Sequence, residues 1–597
     1  MHSDDRKRRC SSPALAIWLA LVIGAGCGER TGPVPTVPAV ATSRSHGPVF
    51  PLRDELDALM RRTPPAPDLG SRIRIVDRWT LSGPFPAVTG TTPQTAASAL
   101  ATDLWSEFLI REAASAEDVL PTEEMQCAAR EAGLFVLATG GRPSDELLDF
   151  MTSRCGALAV GITATFMAAD DDSARTDDQV FTSWEPLLRN VVIARRQRAD
   201  QAAGIWFGRG HGRMAAVIVA GTLAVELTSP IRRRQRGPGS SGGISIAGRL
   251  LRDAVQARAL VNFGQHRVSP CQLDAGVELP RFTMTCWPRG SDVSSWLELV
   301  VLPFDRPFGT TALRLLIWPA DGQPKNHYRR VVYYRSWPAS VHANLAVSLA
   351  RIINQIRRQA DLKPLSFAPA QSQIAARLAP VYFDAVFDPA KRRINETVAL
   401  GLMAGWDVPG TVLRGGFSMT ISGVPDLSAL VSSILARPFG RDVLLDPDAH
   451  YLAVGPMMNG DTVGALLATY SVAERIDRHV ALSRVLARLG SLRRARGLSP
   501  PRLLADADDL VASAVQRIEA GDLALERAVT WLVTRARSRR LTHAWVWTLS
   551  AVTTDAFPLP TELLELDGLR IAAALAVHRV PDRAWAHYIL VIVATTE

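Results

Sequence analysis

Two stretches of sequence decide the fold, and both lie within residues 349–472. The first reads LARIINQIRRQADLKPLSFAPAQSQIAARLA over 349–379. Its apolar residues recur at helical spacing on both sides of a short turn, which predicts two helices. The second reads RPFGRDVLLDPDAHYLAVGPMMNGDTVGALLATYSV over 437–472. Its apolar runs flank a polar turn, which predicts two strands joined as a hairpin.

Together these stretches resemble the CAP superfamily of cysteine-rich secretory proteins, venom antigens and pathogenesis-related proteins, in its bacterial secreted form. The resemblance covers about a fifth of the chain. It implies an α-β-α sandwich, in which helices cover both faces of a small antiparallel sheet. The positions that match the family's sequence patterns are Asn354, Arg357, Leu362, Pro364, Leu365, Ala375, Ala376, Pro438, Arg441, Leu444, Leu445, Pro447 and Gly455.

The family's reactive residues are missing from this sequence. A CAP cleft is lined by two histidines and two acidic residues, but Gly440 stands where one histidine is expected. The segment 387–396 lacks the other histidine, and the segment 414–423 replaces the family's Gly-Glu-Asn. Glu396 and His450 match no family position, and we predict His450 at a strand edge. Without imidazoles the cleft lacks a metal pair and a base of suitable pKa.

The first residues of the chain indicate export. A basic segment at 6–9 and an apolar segment at 13–25 predict a signal peptide over 1–26. Cys27 follows Gly-Ala-Gly, which resembles the acceptor site of a bacterial lipoprotein, and secretion without lipid is the alternative. Residues 27–57 are rich in Pro and Thr and predict an extended tether.

Cysteine spacing agrees with an oxidising compartment. Apart from Cys10 and Cys27, the chain has four cysteines in two local pairs, which predicts the disulfides Cys127–Cys155 and Cys271–Cys286. Each disulfide would stabilise the fold by about 3 kcal/mol through its effect on the unfolded chain. Four reduced thiols are the alternative.

At 597 residues the chain is long enough for three or four domains. The segments 202–221, 451–470 and 572–594 all combine two apolar strands with a polar turn, and 481–515 parallels the helix pair of 349–379. We therefore predict CAP-like domains at 342–474 and 478–597, the second more degenerate. A mixed α/β domain at 58–225 is either a third CAP-like unit or a different fold with a similar hairpin.

The pattern changes to period two between these domains. Predicted strands at 257–264, 281–288, 295–304 and 311–319 indicate an antiparallel β-sandwich module over 226–336. The predicted fold class is therefore α+β, with tandem α-β-α sandwiches and an inserted β-sandwich.

Other candidate residues have simple structural interpretations. His578 and His587 flank the last turn, where they could face one another and bind a metal, or be exposed. The segment 208–212 lies between two predicted strands, which favours a glycine-rich hairpin over a phosphate loop. An exposed acidic loop, without the pattern of a calcium site, is predicted at Asp170, Asp171, Asp172, Asp177 and Asp178.

Arginine dominates the positive charge, with a formal net charge of +9. The short arginine clusters at 232–236 and 493–496 predict solvated loops and helix faces. Nucleic-acid binding would require a concentrated basic stripe with aromatic residues between the charges, and the sequence has no such stripe. Arg493, Arg494 and Arg496 form the second cluster.

We therefore expect an exported, non-catalytic CAP-family envelope protein that binds an unknown envelope ligand or protein partner. It would be periplasmic or on the cell surface, contact the membrane only through lipid on Cys27, and use no cofactor, metal or catalytic residue. The alternatives are a peptidase-like extracellular hydrolase with a site between domains, and a purely structural envelope spacer.

Overall fold

A computed structural model describes most of the chain after residue 48, and all described residues belong to the compact unit Thr42–Glu597. The described residues are 49–62, 75–76, 78–81, 104–114, 119–196, 201–229, 231, 243–263, 266–274, 276–287, 295–303, 309–318, 326–329, 344–386, 391–422, 426–459, 462–541, 543–554, 557–579 and 584–596. The predicted signal peptide, Cys27, the basic cluster at 232–236 and most of the tether lie outside these residues. The α+β class is confirmed, because helices and several small open sheets occur together.

Three segments of the chain share one order of elements, and we name them repeat 1 (104–222), repeat 2 (345–472) and repeat 3 (478–595). The order is a helix, a short strand, two helices, a strand, one or two helices, and a hairpin, and repeat 1 has an additional two-residue strand between its second and third helices. Repeat 1 comprises α2 (Leu104–Ala114), β3 (Val119–Pro121), α3 (Glu123–Thr139), β4 (Arg142–Pro143), α4 (Asp145–Arg154), β5 (Val160–Asp170), α5 (Asp177–Arg196), β6 (Gln201–Gly210) and β7 (Arg213–Thr222).

Repeat 2 contains two helices before its hairpin, whereas repeat 3 contains one short helix there. Repeat 2 comprises α6 (Leu345–Gln359), β17 (Ser366–Phe367), α7 (Pro369–Val386), α8 (Arg392–Ala404), β18 (Val412–Ser422), α9 (Leu427–Leu435), α10 (Pro438–Leu444), β19 (Tyr451–Asn459) and β20 (Thr462–Val472). Repeat 3 comprises α11 (Arg478–Arg494), β21 (Arg502–Leu503), α12 (Asp508–Ala520), α13 (Leu525–Ser538), β22 (Trp545–Ala551), α14 (Thr561–Glu565), β23 (Arg570–His578) and β24 (His587–Thr595).

The sheets of the three repeats have the same strand order and directions. The orders are β3-β6-β7-β5, β17-β19-β20-β18 and β21-β23-β24-β22. In each sheet the short first strand is parallel to its neighbour, and the other pairings are antiparallel. Every residue of β20 and of β24 is buried, because helices cover both faces of these sheets. Burial on both faces explains why these strands are continuous apolar runs without alternation.

Local signals set the helix ends in repeat 1. The Ser144 side chain accepts a hydrogen bond from the Leu147 N–H at the start of α4. The helix α3 ends at Gly140, whose φ of 64° is the left-handed conformation that favours glycine.

The segment between repeats 1 and 2 contains two four-stranded sheets. Their orders are β11-β10-β14-β15 and β12-β13-β9-β8. Their facing side chains share one apolar core, so the two sheets form a β-sandwich. The strands are β8 (Val225–Leu227), β9 (Ile244–Leu250), β10 (Ala254–Phe263), β11 (Arg267–Pro270), β12 (Gln272–Leu273), β13 (Arg281–Cys286), β14 (Ser295–Pro303) and β15 (Thr310–Ile317).

The first helix of the chain packs on repeat 2, although repeat 1 follows it in sequence. The helix α1 (Arg53–Met60) buries Leu56, Leu59 and Met60 against α7 and α8. Arg53 forms an ion pair with Asp407. The prediction of an extended tether over 27–57 was therefore wrong for residues 53–57, which are helical. Their helical structure follows from the spacing of the apolar residues Leu56, Leu59 and Met60 on one face. The remaining strands are β1 (Ile75–Val76), which pairs with β4, and β2 (Arg78–Thr80), which pairs with β16 (His327–Arg329).

Two disulfides join the pairs that the spacing predicted. Cys127 on α3 bonds to Cys155 at the end of α4, and Cys271 bonds to Cys286 on β13. Within the described residues, each helix is too short or too polar to cross a lipid bilayer.

A buried charge network joins repeat 1, the sandwich and repeat 2. Arg314 on β15 forms ion pairs with Asp149 of α4 and with Glu298 of β14. Glu298, which is 1% exposed, also accepts a hydrogen bond of 3.0 Å from the Phe439 N–H of α10. Burial raises the pKa of Glu298, but the Arg314 charge and the hydrogen bonds lower it further, so the net shift is downward.

We predict that Arg314→Met lowers the urea midpoint strongly, because it leaves the buried Glu298 carboxylate without its cation, at a cost of roughly 3–5 kcal/mol. Asp149 is only partly buried and keeps Arg437 at 3.8 Å. The folded pKa of Glu298 lies below its unfolded value of about 4.3, so the network stabilises the fold above that value. This contribution is lost as the pH falls through the folded pKa of Glu298. The urea midpoints of wild type and Arg314→Met should then converge.

The control is Arg249→Met, which removes a surface partner of Glu226 and should cost about 0–1 kcal/mol. Equal midpoint shifts for the two variants, or a difference that persists unchanged in acid, would contradict the prediction.

Candidate functional site

The residues of the CAP-like pattern in repeat 2 have structural roles. The Asn354 side chain donates to the Leu365 carbonyl at 2.9 Å and accepts from the Leu365 N–H at 2.7 Å. These bonds fix the connection between α6 and β17. Gly455 on β19 packs against the backbone of Ala375 on α7, where a Cβ would overlap that backbone. Helix and strand can therefore approach closely only because residue 455 is glycine.

Arg357 is the most deeply buried charged residue of this pattern, with 0% exposure. Its Nε donates to the Lys363 carbonyl at 2.8 Å, and its Nη1 donates to the carbonyls of Leu444 and Asp446 at 2.8 and 3.0 Å. The guanidinium thus joins α6 to the end of α10. Burial lowers the pKa of Arg357 to about 10.

Repeat 3 contains the same arrangement around Arg493, which is also 0% exposed. Its Nε donates to Ser499, six residues further on, and its two terminal nitrogens donate to Leu563 and Leu566 at 2.8 and 2.7 Å. The prediction of a solvated arginine cluster was therefore wrong for Arg493, whereas Arg494 and Arg496 are exposed. The similarity between the segments 349–379 and 481–515 could have predicted that Arg493 is buried, because it aligns Arg493 with Arg357.

The expected histidine position of the cleft has no room for a side chain. Gly440 lies in α10, close to the backbone of Ile434. A Cβ added to Gly440 would overlap the Ile434 carbonyl oxygen. On the facing strand, a Cβ on Gly415 would overlap the Met403 carbonyl. A Cβ on Gly416 would lie 2.9 Å from the Thr469 hydroxyl oxygen. Neither an imidazole nor a carboxylate fits at these positions.

The helix that carries Gly440 is also covered by another part of the chain. Besides the Phe439–Glu298 hydrogen bond, Arg441 donates to the Arg267 carbonyl of β11 at 3.0 Å. The Asn262 side chain of β10 donates to the Ala436 carbonyl at 3.4 Å. In repeat 2 the segment that resembles the cleft motif is therefore part of an interface with the β-sandwich.

Paired charges lie where the sandwich, repeat 2 and repeat 3 meet. Asp442 receives two hydrogen bonds from Arg258, at 2.6 and 2.8 Å, and Asp446 pairs with Arg414. Asp448 pairs with Arg484 of α11 at 2.7 Å. Nearby, burial raises the pKa of Tyr588 to about 12. Each aspartate has its own arginine, so this cluster acts as a contact between segments and offers no uncompensated acid or base.

His450 and Glu396 are both engaged in local contacts. The Nδ1 of His450 accepts a hydrogen bond from the Val472 N–H at 3.1 Å, directly before β19, as expected of a strand-edge residue. Burial and the nearby Arg475 lower the pKa of His450. Glu396 pairs with Arg392 one helical turn away at 2.9 Å.

His578 and His587 face one another across β23 and β24. His587 is 8% exposed and its Nδ1 lies 3.1 Å from the Ser550 hydroxyl, so it is not an exposed turn residue. Among the described residues, no group of three or more histidine, cysteine, aspartate or glutamate side chains could hold a metal ion.

The segment 208–212 forms the hairpin between β6 and β7, as its glycines indicated. Residues His211 and Gly212 have φ values of 57° and 72° at the turn. Arg209 pairs with Asp171 and Asp177 at 2.6 and 2.9 Å, and so fastens the acidic loop to the hairpin.

The comparisons with known proteins give only weak likenesses. No family model matches the sequence, and no curated protein matches it. A cysteine-rich secretory protein from Staphylococcus aureus aligns over 45% of this chain and 85% of its own, with 13% identity and a TM-score of 0.17. The structure of Na-ASP-1 aligns over 62% of this chain and 91% of its own, with 8% identity and a TM-score of 0.16. These weak structural neighbours are CAP proteins, but at such TM-scores they carry no argument about fold or function.

We predict that Gly440→Ala destabilises the protein by about 1–3 kcal/mol, because its methyl group would overlap a backbone carbonyl. The matched variant is Gly490→Ala in α11, where the nearest atom to an added Cβ is a Pro500 carbon at 3.5 Å. That substitution should stabilise its helix by roughly 0.5–1 kcal/mol. Urea midpoints measure both effects, and a tolerated Gly440→Ala would show that the position has space.

Proposed function

We propose that this chain is an exported, lipid-anchored and non-catalytic envelope protein, built from tandem CAP-like layers, that acts by binding. The observation that carries the proposal is the close approach of the Ile434 carbonyl to Gly440. It leaves no space for a histidine side chain at the position where the family pattern has one. Gly415 and Gly416 support the same conclusion on the facing strand. The family-pattern residues that remain, above all Arg357, contribute to structure.

The common sheet order of the three repeats supports the tandem architecture. On this basis we extend the proposal to a third CAP-like unit in the N-terminal segment. The two disulfides favour an oxidising compartment, which is consistent with export.

Two alternatives have weaker support. A hydrolase would need a nucleophile and a base, and Ser550 with His587 is one such pair at hydrogen-bond distance. This pair lies at the end of one sheet, whereas the hydrolase hypothesis requires a site between domains. A purely structural spacer is consistent with the paired charges between segments, but it gives no reason for the lipid-acceptor sequence.

The lipid anchor is tested by growing cells with labelled palmitate and isolating the protein. Wild type and Cys10→Ala should take up label, because Cys10 lies inside the predicted signal peptide. Cys27→Ala should remain unlabelled. Label on Cys27→Ala would refute the lipid anchor. It would not change the conclusion that the position of Gly440 has no space for a histidine side chain.

A further inference from the structure

The helix α13 has an exposed face that is rich in arginine. The segment 527–541 contains five arginines and neither aspartate nor glutamate, and the one acidic residue of α13 is Glu526 in its first turn. The apolar stripe of the helix (Ala528, Val529, Leu532 and Ala536) is buried against the rest of repeat 3. The arginines of this segment are exposed: Arg527, Arg535, Arg537, Arg539 and Arg540.

A half-buried tryptophan lies at the centre of this face. The guanidinium of Arg517, from α12, lies 5.4 Å from the Trp531 ring centre, and that of Arg535 lies 5.8 Å from it. Both distances permit cation–π attraction. Amphipathic tryptophan rings are enriched at the boundary between lipid and water, where cationic side chains meet lipid phosphates.

Most of these charges are not neutralised within the protein. Arg539 pairs with Asp509 of α12. Among the described residues, no ion pair involves Arg527, Arg535 or Arg537. Attraction to the carboxyl end of the helix accounts for the arginines of the last turn. It also accounts for Arg517 in the last turn of α12, but it does not account for Arg527 in the first turn of α13.

We propose that the exposed face of α13, centred on Trp531, binds an anionic lipid surface. Guanidinium groups attract the phosphates of an anionic leaflet, and each cation near the surface adds to the binding. The N-terminal segment enters the fold beside the same repeat, because Phe50 lies 4.8 Å from the ring of Trp585. The face would therefore add a second membrane contact to the proposed lipid on Cys27, and its binding does not depend on that lipid.

The test uses residues 28–597, which lack the predicted signal peptide and Cys27, so that neither the apolar segment 13–25 nor an acyl chain contributes. Sedimentation measures binding to vesicles of equal parts phosphatidylglycerol and phosphatidylcholine, and to vesicles of phosphatidylcholine alone. We expect binding only to the anionic vesicles, with weakening at high salt. The combined variant Arg527→Gln, Arg535→Gln and Arg537→Gln should bind roughly a hundredfold more weakly.

The control variant combines Arg351→Gln, Arg377→Gln and Arg393→Gln, which removes the same charge from exposed positions of repeat 2. It should change binding less than about twofold, since these residues lie outside the proposed face. The proposal is overturned if the control loses as much binding as the α13 variant, or if the α13 variant binds like wild type. Binding of inorganic polyphosphate without binding to anionic vesicles would also overturn it.

Discussion

A buried guanidinium that is bonded to three backbone carbonyls is the interaction on which the repeats depend. Burying a charge costs several kcal/mol unless hydrogen bonds compensate, so Arg357 and Arg493 require their carbonyl partners at fixed positions. The Nη2 of Arg357 is buried without a hydrogen-bond partner among the described residues, so its Nε and Nη1 make all of the compensating bonds. Those partners lie after the first helix and at the end of the helix before the hairpin. Each arginine therefore fixes the distance between the start of its repeat and the start of its hairpin.

This constraint has a consequence for function. With α10 held by Arg357, Gly440 is brought against the Ile434 carbonyl and the helix presents its other side to the β-sandwich. The space that a cleft would need is occupied by backbone and by a neighbouring module. Binding, if it uses repeat 2, must therefore use a surface other than that cleft.

Much of the architecture could be predicted from periodicity and spacing. The apolar runs of β20 and β24, the sandwich strands β13 and β14, and both disulfides follow from short-range patterns. The sequence did not indicate where α1 packs, because Leu56 meets α8 at a site that is distant along the chain. The charge network around Arg314 was hidden in part. Glu298 lies opposite Arg314 on the neighbouring strand, but Asp149 and the Phe439 N–H that bonds to Glu298 come from distant segments. Arg493 could have been identified from its alignment with Arg357, but its neighbours Arg494 and Arg496 made a solvated cluster the simpler interpretation.

Native-state hydrogen exchange on Arg357→Met and Arg493→Met tests the central claim most directly. The claim predicts that Arg357→Met loses protection in α6 and α10, that Arg493→Met loses it in α11 and α14, and that each variant leaves the other repeat unchanged. Unchanged protection in the affected helices, or an equal loss throughout the chain in both variants, would contradict it.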